Sequence, residues 1–240
     1  MSTTEGTLLG GRISYRQPLA GHRSGIEPVL LAAAIPARPG DLVLEAGTGA
    51  GAALLCLAGR VPGIGGIGVE IDPVLARIAA DNFRANGFDT LRAVAADITR
   101  PPFAGGFAHV LANPPWHEAA GTASPDPGRR LAHRAPDSLL AAWIGALSHL
   151  LRPRGTITLI LPAASLGAAI ATLAGTGCGA RHILPLWPRE GRAVKLLIIQ
   201  SRKSAQGPDA LLPGLVLHGE GAKYTEAAER ILRGGEPLIQ

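Results

Sequence analysis

Asn113-Pro114-Pro115-Trp116 is the stretch of this 240-residue chain whose residue types lend themselves most directly to chemistry. Two consecutive prolines stiffen the backbone and end a hydrogen-bond ladder. Beside them stand two acceptors, the Asn113 amide oxygen and the Pro114 carbonyl, and one flat face, Trp116. Two fixed acceptors and a stacking face suit a planar group that bears an NH2. Taken alone, the stretch reads equally well as a rigid turn with one exposed aromatic.

A second set is acidic and glycine-rich. Glu45-Ala46-Gly47-Thr48-Gly49-Ala50-Gly51 spaces glycines that allow a tight turn and a close ligand approach. Gly47 to Ala52 also parses as G-x-G-x-x-A, so the glycines leave NAD and other adenosine cofactors open. Glu70 follows about 19 residues on, where a carboxylate accepts both hydroxyls of a ribose. Asp97, in Ala96-Asp97-Ile98, is placed to accept from an exocyclic adenine amino group, although by itself it is as readily a turn cap. Each of the three acids ends a short apolar run, and ligands of open α/β sheets bind at such ends.

The elements that must position these residues alternate in type. Apolar runs at 42–44, 67–71, 91–96, 107–112 and 156–161 read as strands, and those at 182–187 and 194–200 as an antiparallel pair. Helices are expected over 52–59, over 73–86 with Asp72 as cap and Pro73 first, from a capping Asp137 to Leu151 with Gly155 beyond its end, and over 166–174. Near-continuously apolar strands imply cover on both faces. The expected fold is therefore α/β, a Rossmann-like seven-stranded, mostly parallel sheet with one antiparallel strand and helices on both faces. It divides as one domain over 1–240: an N-terminal lid or substrate segment at 1–36, the core at 37–201 and a C-terminal extension at 202–240. Residues 202–215 read as a connecting loop, and a helix is expected from Thr225.

The quartet of E-x-G-x-G-x-G, Glu70, Asp97-Ile98 and Asn-Pro-Pro-aromatic resembles the amino-group branch of the class I S-adenosylmethionine-dependent methyltransferases. A closer resemblance is to the bacterial tRNA-valine (adenine-N6) methyltransferase family. It is carried by Tyr15-Arg16-Gln17, Gly25-Ile26-Glu27-Pro28-Val29-Leu30-Leu31, Arg129 before Ser138-Leu139-Leu140, Leu161-Pro162 and Tyr224-Thr225-Glu226-Ala227. Trp116 departs from the family's Tyr or Phe, and Glu27 from its Asp. The resemblance implies direct methyl transfer from S-adenosylmethionine to adenine N6 of an RNA, in particular a tRNA. Catalysis would fall to Asn113, Pro114, Pro115 and Trp116. Gly25, Glu45, Gly47, Gly49, Gly51, Glu70, Ile71, Asp97, Ile98 and Asn113 would hold the cofactor.

Composition sets the outer bounds. Hydrophobic residues at 47% and charged residues at 17% exclude a mainly disordered chain. A net charge of +5 leans towards a polyanionic partner. Arg129, Arg130 and Arg134 lie in a Pro/Gly-rich stretch just after the candidate target site and suit RNA phosphates. Cys56 and Cys178 sit in apolar runs and read as small buried hydrophobes. No metal-ligand spacing, signal peptide or membrane-length apolar run is visible, so no metal and no membrane partner are expected, and a cytoplasmic location is. The alternatives are a glutamine-N5 protein methyltransferase, weighed down by only about 36 residues before the first strand, a guanine-N2 RNA methyltransferase, and an NAD(P) oxidoreductase.

Overall fold

The computed structural model describes residues 2–20, 24–115 and 136–239. The chain opens with a hairpin, β1 (Thr3–Leu8) and β2 (Ile13–Pro18), followed by α1 (Glu27–Ala33). Then come β3 (Leu42–Ala46), α2 (Ala52–Arg60), β4 (Gly65–Glu70), α3 (Pro73–Ala85), β5 (Leu91–Ala95) and β6 (Phe107–Ala112). After them follow α4 (Pro136–Leu150), β7 (Leu151–Pro162), α5 (Leu166–Gly175), β8 (Cys178–Trp187), β9 (Leu196–Lys203), β10 (Ala210–Leu211), β11 (Leu215–Val216) and α6 (Glu226–Leu232). Among the described residues no helix is long and apolar enough to cross a membrane.

The main sheet runs β10-β8-β9-β7-β6-β3-β4-β5, with β11 also on β8. Only β9 is antiparallel, to both β7 and β8. The expected seven-stranded sheet with one antiparallel strand is present. It is widened to nine by the two-residue strands β10 and β11, which fall in and just beyond the stretch read as a loop. Backbone pairing to the outer edge of β8 makes strands of them, without any apolar alternation to announce it. Side-chain alternation splits the core in two. Val43 and Leu111 face α1, α2, α3 and α6, whereas Leu44, Ala46, Val110 and Ala112 face α4 and α5.

Three local expectations are corrected. The fifth strand starts at Leu151, directly after α4, and Gly155 lies inside it. A Cβ on Gly155 would come within 2.8 Å of the Ala108 carbonyl, so the glycine answers a close backbone approach, not a helix stop. The helix expected to be capped by Asp137 begins at Pro136 and takes Asp137 into its first turn. The N-terminal segment holds a hairpin that composition did not suggest. Its second strand is pinned to α3 by two asparagines one turn apart. The amide of Asn82 exchanges hydrogen bonds with Arg16 N–H (3.0 Å) and carbonyl (2.7 Å), and that of Asn86 with Ser14 N–H (2.9 Å) and carbonyl (2.8 Å). Two helix side chains thus act as a strand edge for β2.

Candidate active site

Register brings the candidate residues to one edge. Ala46 pairs with Val69 on one side and with Ala112 on the other, so Gly47, Glu70 and Asn113 emerge side by side at the carboxyl ends of β3, β4 and β6. Ala96 N–H donates to the Glu70 carbonyl at 2.9 Å, which sets Asp97 next in line. From β3 the chain winds outward through β4 and β5, then returns to β6 on the other flank of β3. The crevice at such a switch point is where open sheets take ligands.

Glu45 shares a face with Val43 and lies under α2, 4% exposed. Its Oε2 accepts from the Thr48 hydroxyl at 2.7 Å and from Leu54 N–H at 3.2 Å. Burial pushes its carboxyl up to about 8; the two hydrogen bonds pull against that and the nearby Glu70 adds to it. Leu54 is the third residue of α2, so Glu45 takes one N–H of that helix start.

The three glycines of the string do different work. Gly47, Gly49 and Gly51 all have positive φ, at 66°, 55° and 90°. A Cβ on Gly47 would meet the Trp143 ring at 2.8 Å, and one on Gly51 the Phe83 ring at 2.6 Å. Those two are glycines because the backbone turns left-handed against packed aromatics. At Gly49 nothing lies within 4 Å of the missing Cβ. That position opens on the crevice, and its N–H donates to Glu70 Oε2 at 2.9 Å. Asp72 N–H donates to the other oxygen at 3.1 Å, so both oxygens of Glu70 are held in place by backbone. Ile71 alongside is 66% exposed, a large apolar face open to solvent.

Asp97 is exposed, and its Oδ1 takes 2.8 Å bonds from the Thr99 N–H and hydroxyl, the turn-capping role that a lone Asp suggests. The Ile98 side chain is buried in the α4/α5 core, which leaves its backbone as the part a ligand could reach. Asn113 is half-buried, Pro114 buried and Pro115 exposed. Trp116, Arg129, Arg130 and Arg134 lie outside the described residues. Among the described residues, no contact draws Gly25 into this crevice. A Cβ there would press on the Glu27 carboxylate. Its neighbour Ser24 shares a 2.8 Å hydrogen bond with the Tyr15 hydroxyl, which burial, and then the charge of Glu45, push up to about 12.

Residue types along the sequence did not single out Thr48, Asn82 or Trp143. Asn82 is buried and also donates to the Ala50 carbonyl at 2.8 Å, joining hairpin, α3 and glycine turn. Its signal was a polar residue on the apolar stripe of Ile78, Ala79 and Phe83. Cys56 and Cys178 are both buried and unbridged, as their surroundings suggested. As a whole the edge presents carboxylates, a glycine turn and an exposed isoleucine. It is built to take a ligand rich in N–H and O–H donors with one apolar flat part.

Residues 26–147 match the sequence model of a family described as methyltransferase small domain. A protein of Shewanella amazonensis named tRNA1(Val) (adenine(37)-N6)-methyltransferase is 31% identical over 211 residues, 86% of this chain and 88% of that one. A release factor glutamine methyltransferase of Rhodospirillum rubrum is 34% identical over 129 residues, 49% of this chain and 39% of its own length. The crystal structure of a predicted O-methyltransferase from Agrobacterium tumefaciens is similar with a TM-score of 0.74 at 21% identity, covering 89% of this chain and 98% of that one. That last likeness speaks for the fold alone.

Proposed function

Because the chain belongs to the methyltransferase small domain family, we propose that it methylates adenine N6 in a tRNA. It is an S-adenosylmethionine-dependent methyltransferase. The observation that carries the reading is the placement of Asn113-Pro114-Pro115 at the switch point, beside a crevice lined by Glu70, Gly49 and Ile71. The crevice fits the cofactor. Glu70, already oriented by two N–H groups, offers its remaining lone pairs to the ribose hydroxyls. Ile71 gives the adenine ring an apolar face, Asp97 faces its amino group, and the open side of Gly49 admits the chain of the ligand. When bound, S-adenosylmethionine supplies an electrophilic methyl group on a positively charged sulfur.

The residues at the end of β6 do the rest. The Asn113 amide oxygen and the Pro114 carbonyl accept the two N–H groups of the target amine. That turns the amine lone pair out of the ring and towards the methyl carbon. The new N–C bond forms as the S–C bond breaks, and the surplus proton leaves to water. Positioning and acceptor alignment in the transition state provide the catalysis, and no strong base is needed. The flat face of Trp116 stacks the extruded base, a contact worth about 1–3 kcal/mol. The hairpin, tied through Asn82 to the glycine turn, closes the N-terminal side. A tRNA substrate supports a cytoplasmic location.

Adenine is favoured over a glutamine amide because the tRNA methyltransferase relative matches along 88% of its length, whereas the glutamine methyltransferase relative matches along 39% of its own. Incubating the protein with labelled S-adenosylmethionine and separate pools of unmodified tRNA, rRNA and protein tests this. N6-methyladenosine in the tRNA digest is the expected product; label in glutamine overturns the RNA reading. Asn113→Ala is expected to lower turnover by about 10²–10³-fold while calorimetric cofactor affinity stays within a few-fold. Lost cofactor affinity would reassign Asn113 to holding the cofactor.

A further inference from the structure

We infer that the turn between β8 and β9, with the loop that lies against it at 217–224, is an RNA-phosphate contact of the catalytic rim. The inference rests on the tRNA reading above. β8 runs parallel to β3 and β6, so its carboxyl end turns at the same edge as Asn113. Ala163 N–H, just past β7, donates to the Lys195 carbonyl at 2.9 Å and fixes the far side of the turn. Register places Lys195 two strands across and three residues beyond the level of Asn113, about 14 Å away at ordinary strand spacings. One RNA hairpin with a base extruded at Asn113 spans that gap.

The second loop is fastened to the first. Leu217 N–H donates to the Trp187 carbonyl at 2.8 Å and His218 N–H to that of Pro188 at 3.1 Å. The Arg189 guanidinium reaches the Gly219 carbonyl at 3.0 Å. The His218 and Tyr224 rings stack at 5.4 Å and 22°, and His218 Nδ1 donates to the Lys223 carbonyl. The Lys223 ammonium stands 5.4 Å from the Tyr224 ring centre. The surface is therefore built, with cations carried on braced backbone.

Its charge is the decisive feature. Arg189, Arg192, Lys195 and Lys223 are all exposed, against Glu190 and Glu220 on the same two loops. Away from the rim Arg16 meets Glu5, Arg152 meets Asp41, Arg181 meets Asp209 and Arg233 meets Glu229. The exposed Arg77, Arg92, Arg100 and Arg202 are, like the rim cations, outside any ion pair among the described residues, but they lie singly rather than on two braced loops. Among the described residues, no ion pair takes any of the four rim cations. Cations left unneutralised beside an aromatic stack at the reacting edge match a polyanion with exposed bases.

The test uses the full chain and an unmodified tRNA transcript, with binding followed by anisotropy from about 50 to 200 mM salt. Arg189→Ala, Arg192→Ala and Lys195→Ala combined should weaken binding at least about ten-fold near 0.15 M salt and flatten the log K against log[salt] slope by about 2. Cofactor affinity and turnover at saturating tRNA stay as before, melting temperature falls by no more than the single Arg189–Gly219 bond accounts for, and KM rises. Arg189→Lys with Arg192→Lys keeps the slope, and so does Arg230→Ala with Arg233→Ala, which removes arginines already paired. An unchanged slope and KM in the triple variant, with tRNA methylation intact in the unaltered protein, overturns this inference alone. No RNA methylation by the unaltered protein overturns the tRNA reading and this inference together.

Discussion

The two ends of the parallel sheet each carry a polar cluster, and the two are built differently. At the amino end Asp41 and His109 stand beside Thr156 and Arg152. Asp41 Oδ2 takes the Arg38 N–H at 2.9 Å and faces His109 Nε2 at 3.3 Å, and its Oδ1 takes Arg152 at 3.0 Å. His109 Nδ1 and the Thr156 hydroxyl are 2.7 Å apart. Nε2–H donating to Asp41 and Nδ1 accepting from Thr156 satisfies every group. An acid, a histidine and a hydroxyl in a row invite a nucleophilic reading, yet Thr156 is 3% exposed, out of reach of solvent. At the carboxyl end Glu70 is oriented just as firmly, but by backbone donors that leave lone pairs spare, beside the open flank of Gly49. A polar cluster closed on itself ties strands together, whereas one that ends at an open glycine turn can hold a ligand.

The sharpest break of that contrast is in cofactor affinity. Glu70→Ala removes two charge-assisted hydrogen bonds to ligand, each worth about 1.5–3 kcal/mol. An affinity loss of about 100-fold or more is therefore expected by calorimetry. His109→Ala should leave affinity within about two-fold and lower stability instead, by about 1–3 kcal/mol for the stranded partners. Equal affinity losses in both variants would erase the distinction. The glycines sharpen it next. Gly51→Ala drives a methyl into Phe83 at positive φ and should destabilise the fold by about 2–4 kcal/mol. Gly49→Ala bears only the strain of its φ, about 1–2 kcal/mol. Its methyl enters the crevice, so its deficit should fall mainly on cofactor binding. If denaturant melts rank the two the other way round, the packing account of the turn is wrong.

The sequence made the sheet legible where strands bury both faces. The runs ending at Glu45-Ala46, Glu70 and Ala112 are near-continuously apolar, with His109 the polar exception, and Asp72-Pro73 announces a helix start that the structure realises through bonds to the Val74 and Leu75 N–H groups. That Gly47, Glu70 and Asn113 meet at one edge was legible for the same reason, since strand ends fix where side chains can meet. What stayed hidden depends on contacts distant in sequence. Thr3–Leu8 has no apolar alternation, and its partner β2 is held by asparagines some 70 residues away in the chain. Gly47 and Gly51 look like Gly49 in the string. Only the positions of Trp143 and Phe83 show that two of the three serve packing.

The finest test of the comparison is pH, because the two clusters oppose each other in sign. Glu45 is raised to about 8 from an ordinary 4.5, so the folded protein holds its proton longer than the unfolded chain. Stability from that carboxyl is complete below about 4.5 and falls away as pH climbs to about 8. His109 is lowered from 6.5 by burial, with Arg152 and Arg202 assisting and Asp41 opposing. Its contribution is complete above 6.5 and is lost on acidification below that. Asp41 itself is held low by the Arg38 N–H, His109 and Arg152, which together outweigh its own desolvation, and it adds to the acid limb further down. Glu45→Gln keeps an oxygen for Thr48 and Leu54 without a proton to lose. It should gain about 4 kcal/mol over the unaltered protein at pH 8, about 8 °C in melting temperature, and under about 1 kcal/mol at pH 5. His109→Gln should flatten the acid limb and leave the alkaline one alone. Parallel melting-temperature profiles for all three proteins would sink the assignment of both limbs. A cofactor that carries positive charge into the carboxyl edge should also lower the Glu45 value on binding. Proton release on cofactor binding near pH 7, read from calorimetry in two buffers, should therefore vanish in Glu45→Gln and persist in His109→Gln.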